Sequence, residues 1–195
     1  FEETYIKFHN NRNELKKALN NNDIKLTTSI CNEILKWGGV GVAIKNIKRI
    51  EKLKENDLIK VLKNAKEIIE SETINTDSIV FPVNSGFSKI YTCLSEKFII
   101  YDSRVAAKMC SLINETFPSQ NPFMLGKADY NAKVNRNPGS QFPMITGNNK
   151  RYFISNIKAS WILEELAEKN KLLGFDKSKL IFAYQTAFFV MGREI

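Results

Sequence analysis

Apolar side chains recur every three to four residues through most of this 195-residue chain, which is the spacing of amphipathic helices. Asparagines crowd the N-terminal part and leave few apolar anchors, so only a loosely held helix over about 14–19 is predicted there. Asp23 favours an N-cap for a second helix, from Ile24 to Trp37. We expect Gly38 and the glycine after it to end that helix in the left-handed conformation.

Five further helices follow from the same periodicity. The first of them begins after Val42 and turns one apolar face inward, formed by Ile44, Ile47, Ile50 and Leu53. The others are predicted over about 57–72, 102–117, 149–170 and 176–194. Because the last of these is apolar nearly all round, we expect it to be buried.

Strand-like sequence is limited to two short stretches, 78–81 and 98–101. Six to eight helices with short connections predict an all-α protein. The length fits one domain or at most two small ones, and we expect a single domain over 1–195. The one long connection, 118–148, is rich in Asn and Pro, and its length favours a functional surface over a bare connector.

Positive charge is concentrated in part of the chain. The 29 Lys and Arg residues exceed the 21 Asp and Glu residues, and the segment from Lys127 to Lys158 holds six basic residues but only one acid. A local basic surface of this kind is typical of polyanion binders, nucleic acid first. A second basic stretch, 45–66, is interpreted as a helical surface with mixed ion pairs. The alternative is a basic protein that does not bind DNA.

Several classes of protein are disfavoured by what the sequence lacks. Cys31, Cys93 and Cys110 are odd in number and far apart, which favours reduced thiols in an intracellular protein over a disulfide framework. His9 is the only histidine, which argues against a His triad or a His-rich metal centre. We therefore expect neither a metal nor a cofactor. The most apolar stretch, 180–191, is too short for a bilayer span, and no signal peptide is recognised.

Candidate chemistry lies in the segment 78–117, which we call the catalytic segment. Pro82 and Gly86 favour a tight entry into a short helix, whose first backbone N–H groups are expected to be free to hold a phosphate. Lys89 is then expected in the first turn, where the helix dipole and apolar neighbours disfavour the protonated amine, as an amine nucleophile requires. The carboxylate of Asp102 is expected to cap the following helix.

This order of hairpin, lysine and helix-capping aspartate resembles the helix-hairpin-helix DNA glycosylase superfamily, and the lysine matches its bifunctional members. Cys93 stands four residues after Lys89, and Gln185 stands four residues before Phe189. Both spacings are similar to the 8-oxoguanine DNA glycosylase branch. The resemblance implies a compact helical glycosylase-like domain that binds duplex DNA as a monomer, away from membranes, and excises a modified purine, with 8-oxoguanine as the first expectation.

The resemblance also implies roles for individual residues. Lys89 would attack C1′ of an extruded nucleoside and form a Schiff base, Asp102 would stabilise the developing positive charge, and β-elimination would then nick the strand. Cys93, Gln185 and Phe189 would form the base pocket. The residues expected to contact DNA are Asn84, Ser85, Gly86, Ser88, Arg104, Lys133, Arg136 and Arg151.

Several of these residues have a simpler interpretation, whereas Gln185, an amide in a nearly all-apolar helix, would need a partner if buried. Lys89 alone is a solvated helix lysine, Asp102 alone is an N-cap contributing about 1 kcal/mol, and Cys93 is a small core residue. Two rival functions follow: a non-catalytic DNA-binding module on a glycosylase scaffold, including one that acts in defence against foreign modified DNA, and an interaction protein whose basic loop, 127–151, contacts an acidic partner.

Overall fold

The structure, a computed structural model, describes residues 1–38, 40–53, 57–71, 73–74, 82–116, 149–170 and 175–192, without the side chains of 40–42, 114, 149 and 151. These ranges contain eight helices and no strand, which confirms the all-α prediction. The helices are α1 (Glu2–Asn20), α2 (Ile24–Trp37), α3 (Val40–Glu51), α4 (Asp57–Glu70), α5 (Ser85–Thr92), α6 (Ser103–Thr116), α7 (Asn149–Lys169) and α8 (Lys177–Met191).

The first two helices differ in how well their sequence predicts them. Helix α1 is far longer than the predicted 14–19, because Phe8, Asn11 and Leu15 continue one buried stripe toward its N-terminus. Helix α2 has the predicted bounds, and the Asp23 carboxylate accepts a hydrogen bond from the backbone N–H of the third helical residue. The expected left-handed conformation is wrong at Gly38, which has a φ of −73°, and the glycine after it lies outside the described residues.

Helix α3 buries part of the predicted face. Ile50 is buried and Ile47 and Leu53 are half-buried, whereas Ile44 is 51 % exposed and Ala43 and Asn46 are buried instead. The prediction was wrong at Ile44 because it followed the largest apolar residues and passed over a buried asparagine. In α4 the buried residues are Leu58, Ile59, Leu62, Ala65, Ile68 and Ile69.

The chain divides into two compact units, residues 1–98 and 99–195. In the first unit, α2 is central and contacts α1, α3, α4 and α5. In the second unit, α8 contacts both α6 and α7. The core of the second unit is a contiguous apolar cluster of Ile99, Tyr101, Val105, Ala106, Met109, Cys110, Ala159, Leu163, Ala167, Leu180 and Ile181.

The segment 98–101, predicted as strand material, is not a strand. The backbone N–H of Ile99 donates to Ser160 Oγ at 3.2 Å, and that of Ile100 donates to Gln185 Oε1 at 2.6 Å. Side chains from α7 and α8 therefore satisfy the donors that a neighbouring strand would otherwise accept.

The end of α8 is not buried as predicted. Phe189, Val190 and Met191 are 39 %, 61 % and 48 % exposed, while Leu180 and Ile181 at the start of the helix are buried. Among the described residues α8 packs mainly against α6 and α7, and this packing leaves part of its all-round apolar surface uncovered. Among the helices that the structure describes, none has the length and hydrophobicity to cross a bilayer.

Candidate functional site

The start of α5 is built around the side chain of Asn84. Its Oδ1 atom accepts hydrogen bonds from the backbone N–H groups of Gly86 at 2.9 Å and of Phe87 at 3.0 Å. The expectation that these donors are free to hold a phosphate is therefore wrong, because the N-cap asparagine already occupies them. The hydroxyl of Tyr91 donates to the Pro82 carbonyl and fixes the chain just before the cap.

Asn46, which sequence reasoning missed, braces this cap from α3. Its Nδ2 donates to Asn84 Oδ1 at 3.2 Å, and Asn84 Nδ2 donates to Asn46 Oδ1 at 3.0 Å. Asn46 is 2 % exposed, so the two amides form a buried, reciprocal pair. The sequence did contain a signal for Asn46, because it lies in helical register with Ala43 and Ile50, and a polar residue on such an apolar face needs a partner.

The amide pair also explains the glycine of the motif. A Cβ atom on Gly86 would lie 2.1 Å from Asn46 Nδ2, so any side chain there would displace the pair. Of the four residues near this point that were predicted to contact DNA, Asn84 and Ser85 are half-buried, while Gly86 and Ser88 are buried.

Lys89 lies in the last turn of α5, not in the first, because that helix begins at Ser85 and has only eight residues. Its Nζ reaches back along the helix and donates to the Ser85 carbonyl at 3.1 Å. The aliphatic part of the side chain lies over Gly38, where a Cβ atom would come within 2.6 Å of Lys89 Cδ. Because glycine has no side chain at position 38, the side chain of Lys89 can lie against the end of α2.

Cys93, the C-cap of α5, lies in a more enclosed setting than a base clamp suggests. It is 2 % exposed, and burial raises the pKa of its thiol to about 12, an effect that the Arg12 cation partly offsets. Arg12 itself bonds the Thr92 carbonyl at 3.2 Å and pairs with Glu96 at 3.6 Å. At this high pKa the Cys93 thiol stays protonated near pH 7 and is not a nucleophile.

A groove of about 230 Å³ runs past Cys93. It is lined by Lys16, Leu19, Asn20, Lys63, Lys66, Glu67, Glu70, Cys93 and Leu94. Lysines of α1 and α4 and glutamates of α4 are among these residues, so the groove beside Cys93 carries both signs of charge along with apolar surface.

The second unit carries the predicted Asp102 cap. Asp102 Oδ1 accepts hydrogen bonds from the backbone N–H groups of Arg104 at 2.9 Å and Val105 at 3.0 Å. No group in the described part of the chain bonds its second carboxylate oxygen, and the residue is only half-buried. The cap therefore presents a carboxylate oxygen that the described residues do not bond.

Arg104 and Phe189, two residues singled out separately, are in contact. The guanidinium carbon of Arg104 lies 4.6 Å from the centroid of the Phe189 ring, a cation–π geometry. The backbone at this crossing is close, since a Cβ atom on Gly192 would lie 2.0 Å from the Arg104 carbonyl oxygen. A cationic group and a partly exposed aromatic ring thus meet beside the helix start that Asp102 caps.

Gln185 is buried, as its apolar setting required, and its partner is the protein itself. Its Oε1 accepts the Ile100 N–H, so the amide carbonyl holds the first residues of the second unit against α8. Lys133 and Arg136, with the rest of the predicted loop 118–148, lie outside the described residues. Arg151 lies on α7, and its side chain is also outside the description.

Comparison of the chain with protein-family models, with curated proteins and with solved structures gave no match.

Proposed function

We propose that this chain binds duplex DNA and excises a modified purine, with Lys89 as the amine nucleophile. The observation that carries the proposal is the cluster of Asp102, Arg104 and Phe189. The sequence resemblance assigned these three residues charge stabilisation, a DNA contact and base stacking. In the structure they lie together at the start of α6, with the ring 4.6 Å from the guanidinium.

The chemical properties of this cluster support the proposal. Phe189 offers a ring face on which an unstacked base can lie, and such stacking is worth about 1–3 kcal/mol per base. Arg104 supplies a cation suited to a phosphate. The unused carboxylate oxygen of Asp102 can stabilise the positive charge that develops on a sugar as its glycosidic bond breaks.

The proposed reaction is a displacement followed by elimination. The uncharged Lys89 amine adds to C1′ while the bond from C1′ to the purine nitrogen breaks, and the base leaves with that electron pair and takes up a proton. The bond from C1′ to O4′ then breaks, O4′ takes up the second amine proton, and C1′ becomes the Schiff base carbon. Loss of a proton from C2′ and departure of the 3′ phosphate cleave the strand by β-elimination. Base extrusion must come first, because a stacked base shields the glycosidic bond.

Borohydride trapping on a panel of duplexes tests this proposal. The duplexes carry 8-oxoguanine opposite C, other modified purines, or an abasic site. We expect a covalent adduct with the unaltered chain and none with Lys89→Gln or Lys89→Arg, since arginine keeps the positive charge but cannot form the Schiff base. Lys60→Gln, at an exposed position on α4, is the matched control and should trap normally. Trapping by Lys89→Arg would contradict the proposal.

A non-catalytic DNA-binding module is the second candidate, and one group of observations favours it. Gln185 Oε1 bonds Ile100, Asn84 occupies the N–H groups at the start of α5, and Cys93 is buried. Several groups that base recognition would use are thus committed to the fold. This candidate predicts duplex binding by the unaltered chain with no adduct on any duplex, the abasic one included.

A further inference from the structure

The face of α3 that points away from the core carries a stripe of positive charge. Lys45, Lys48 and Arg49 are exposed on the helix, and Lys52 follows directly after its last residue. Positions separated by three, four and seven residues lie on one side of a helix, so the four cations form one line about 10 Å long. We call these four residues the α3 stripe.

The cations of the α3 stripe have no ion-pair partner in the part of the chain that the structure describes. Some other described lysines do pair with acids, as in Lys7 with Glu33 at 3.3 Å and Lys169 with Glu165 at 2.9 Å. The sequence suggested mixed pairs in this region, yet among the described residues Glu51, the one acid of α3, forms no ion pair with Lys48 three residues before it. Four like charges held in line repel one another, and no described acid pairs with them, which favours a ligand that supplies negative charge.

The opposite face of α3 holds the helix rigidly in place. Asn46 forms the reciprocal amide pair with Asn84, and Ala43 and Ile50 are buried. The α3 stripe is therefore part of the same packed structure as the start of α5, which contains Asn84 and Ser85, both predicted to contact DNA. A fixed line of cations suits a ligand whose own charges are regularly spaced.

We propose that the α3 stripe binds the phosphate backbone of nucleic acid. Phosphates repeat at short, regular intervals along a strand, and a 10 Å line of four cations can face several of them. A lipid surface fits less well, because Ala43 and Ile50 of α3 are buried in the protein and, among the described side chains of this helix, Ile44 is the large apolar one that is exposed. This inference rests on the proposed function only in taking DNA as the ligand; it does not require Lys89 chemistry.

The test measures binding of an unmodified duplex by fluorescence anisotropy over a range of salt concentrations. The stripe variant replaces Lys45, Lys48, Arg49 and Lys52 with Gln, and the control replaces Lys17, Lys25, Lys36 and Lys60 on three other helices, all exposed, with Gln. We expect the stripe variant to lose about 100-fold in affinity at 0.1 M salt and its salt slope to fall by about 3–4. The control should keep most of the slope.

Further measurements keep the inference open to refutation. Circular dichroism and thermal unfolding establish that the variants fold, and Arg49→Gln alone should lower the slope by about 1 if the fourfold variant does not fold. Equal losses in stripe and control variants, no duplex binding by the unaltered chain, or stripe-dependent binding to anionic vesicles without DNA binding would each overturn the inference. Because the duplex is unmodified, loss of trapping alone leaves this result unaffected and counts only against the glycosylase proposal.

Discussion

The starts of α5 and α6 are both capped by a side-chain oxygen, which belongs to an amide in α5 and to a carboxylate in α6. Each cap side chain uses one oxygen to accept two backbone N–H groups, from Gly86 and Phe87 in the case of Asn84, and from Arg104 and Val105 in the case of Asp102. The amide nitrogen of Asn84 also donates a hydrogen bond to the buried Asn46. Asp102 keeps a charged oxygen that no described group bonds.

This difference separates a structural cap from one that is available for chemistry. A neutral amide whose oxygen and nitrogen are both engaged within the protein adds rigidity to the start of its helix. A half-exposed carboxylate with a spare oxygen caps its helix equally well and can also act on a developing positive charge. Substitutions at the two caps should therefore change different quantities, stability at α5 and activity at α6.

The largest loss of stability is expected from Gly86→Ala. The new Cβ atom would lie 2.1 Å from Asn46 Nδ2 and would break the buried amide pair, so the free energy of unfolding should fall by about 3 kcal/mol. Gly38→Ala is the control, because its Cβ atom meets the flexible end of Lys89, and it should cost less than about 1 kcal/mol. The free energy of unfolding is measured in urea for both variants. Equal decreases would contradict this prediction, because displacing the amide pair would then cost no more than displacing the Lys89 side chain.

Asp102→Asn should affect activity and leave stability almost unchanged. Asparagine caps a helix as well as aspartate does, so the free energy of unfolding should change by less than about 0.5 kcal/mol. Base release should fall about 100-fold, because the negative charge is gone. The assay is release of the modified base in single-turnover experiments, with urea unfolding alongside. Full activity of Asp102→Asn would reduce Asp102 to a second structural cap.

The amide pair itself can be measured by a double-mutant cycle on Asn46 and Asn84. Each single change to Ala leaves a buried amide without its partner and should cost about 2 kcal/mol. The double change should cost less than the sum of the two, with a coupling of about 1 kcal/mol. Additive losses would mean that the two side chains stabilise the fold independently.

The smallest effect is expected at the cation–π contact beside Asp102. Phe189→Leu removes the ring from Arg104 while keeping an apolar side chain, and should cost about 0.5–1 kcal/mol in stability. If the ring stacks on a base, the same variant should bind duplexes with a modified base several-fold more weakly, while unmodified duplexes are bound as before. A uniform loss on both kinds of duplex would assign Phe189 to packing alone.

Helices and caps whose determinants lie close together in the chain could be predicted from the sequence. Helix α2 and its Asp23 cap were correct because periodicity and capping act within a few residues of one another. The Asp102 cap was predicted for the same reason. The long α1 was missed because asparagines lower helix propensity, whereas Asn11 is buried by contacts within the first unit that propensity does not contain.

Long-range polar pairs could not be predicted in this way. Asn46 and Asn84 are 38 residues apart, and Gln185 bonds a backbone group 85 residues away at Ile100. Periodicity shows that Asn46 and Gln185 occupy apolar surroundings and therefore need partners, but it does not show which groups those are. The occupied N–H groups at the start of α5 were missed for the same reason, since the bracing amide comes from another helix.

The most direct test of the central claim is to locate the trapped adduct in the chain. The unaltered protein is reduced with borohydride on an abasic duplex, digested, and sequenced by tandem mass spectrometry. The proposal predicts that the remnant of the deoxyribose is attached to Nζ of Lys89. An adduct on a different lysine, or no adduct at all, would contradict the assignment of Lys89 as the nucleophile.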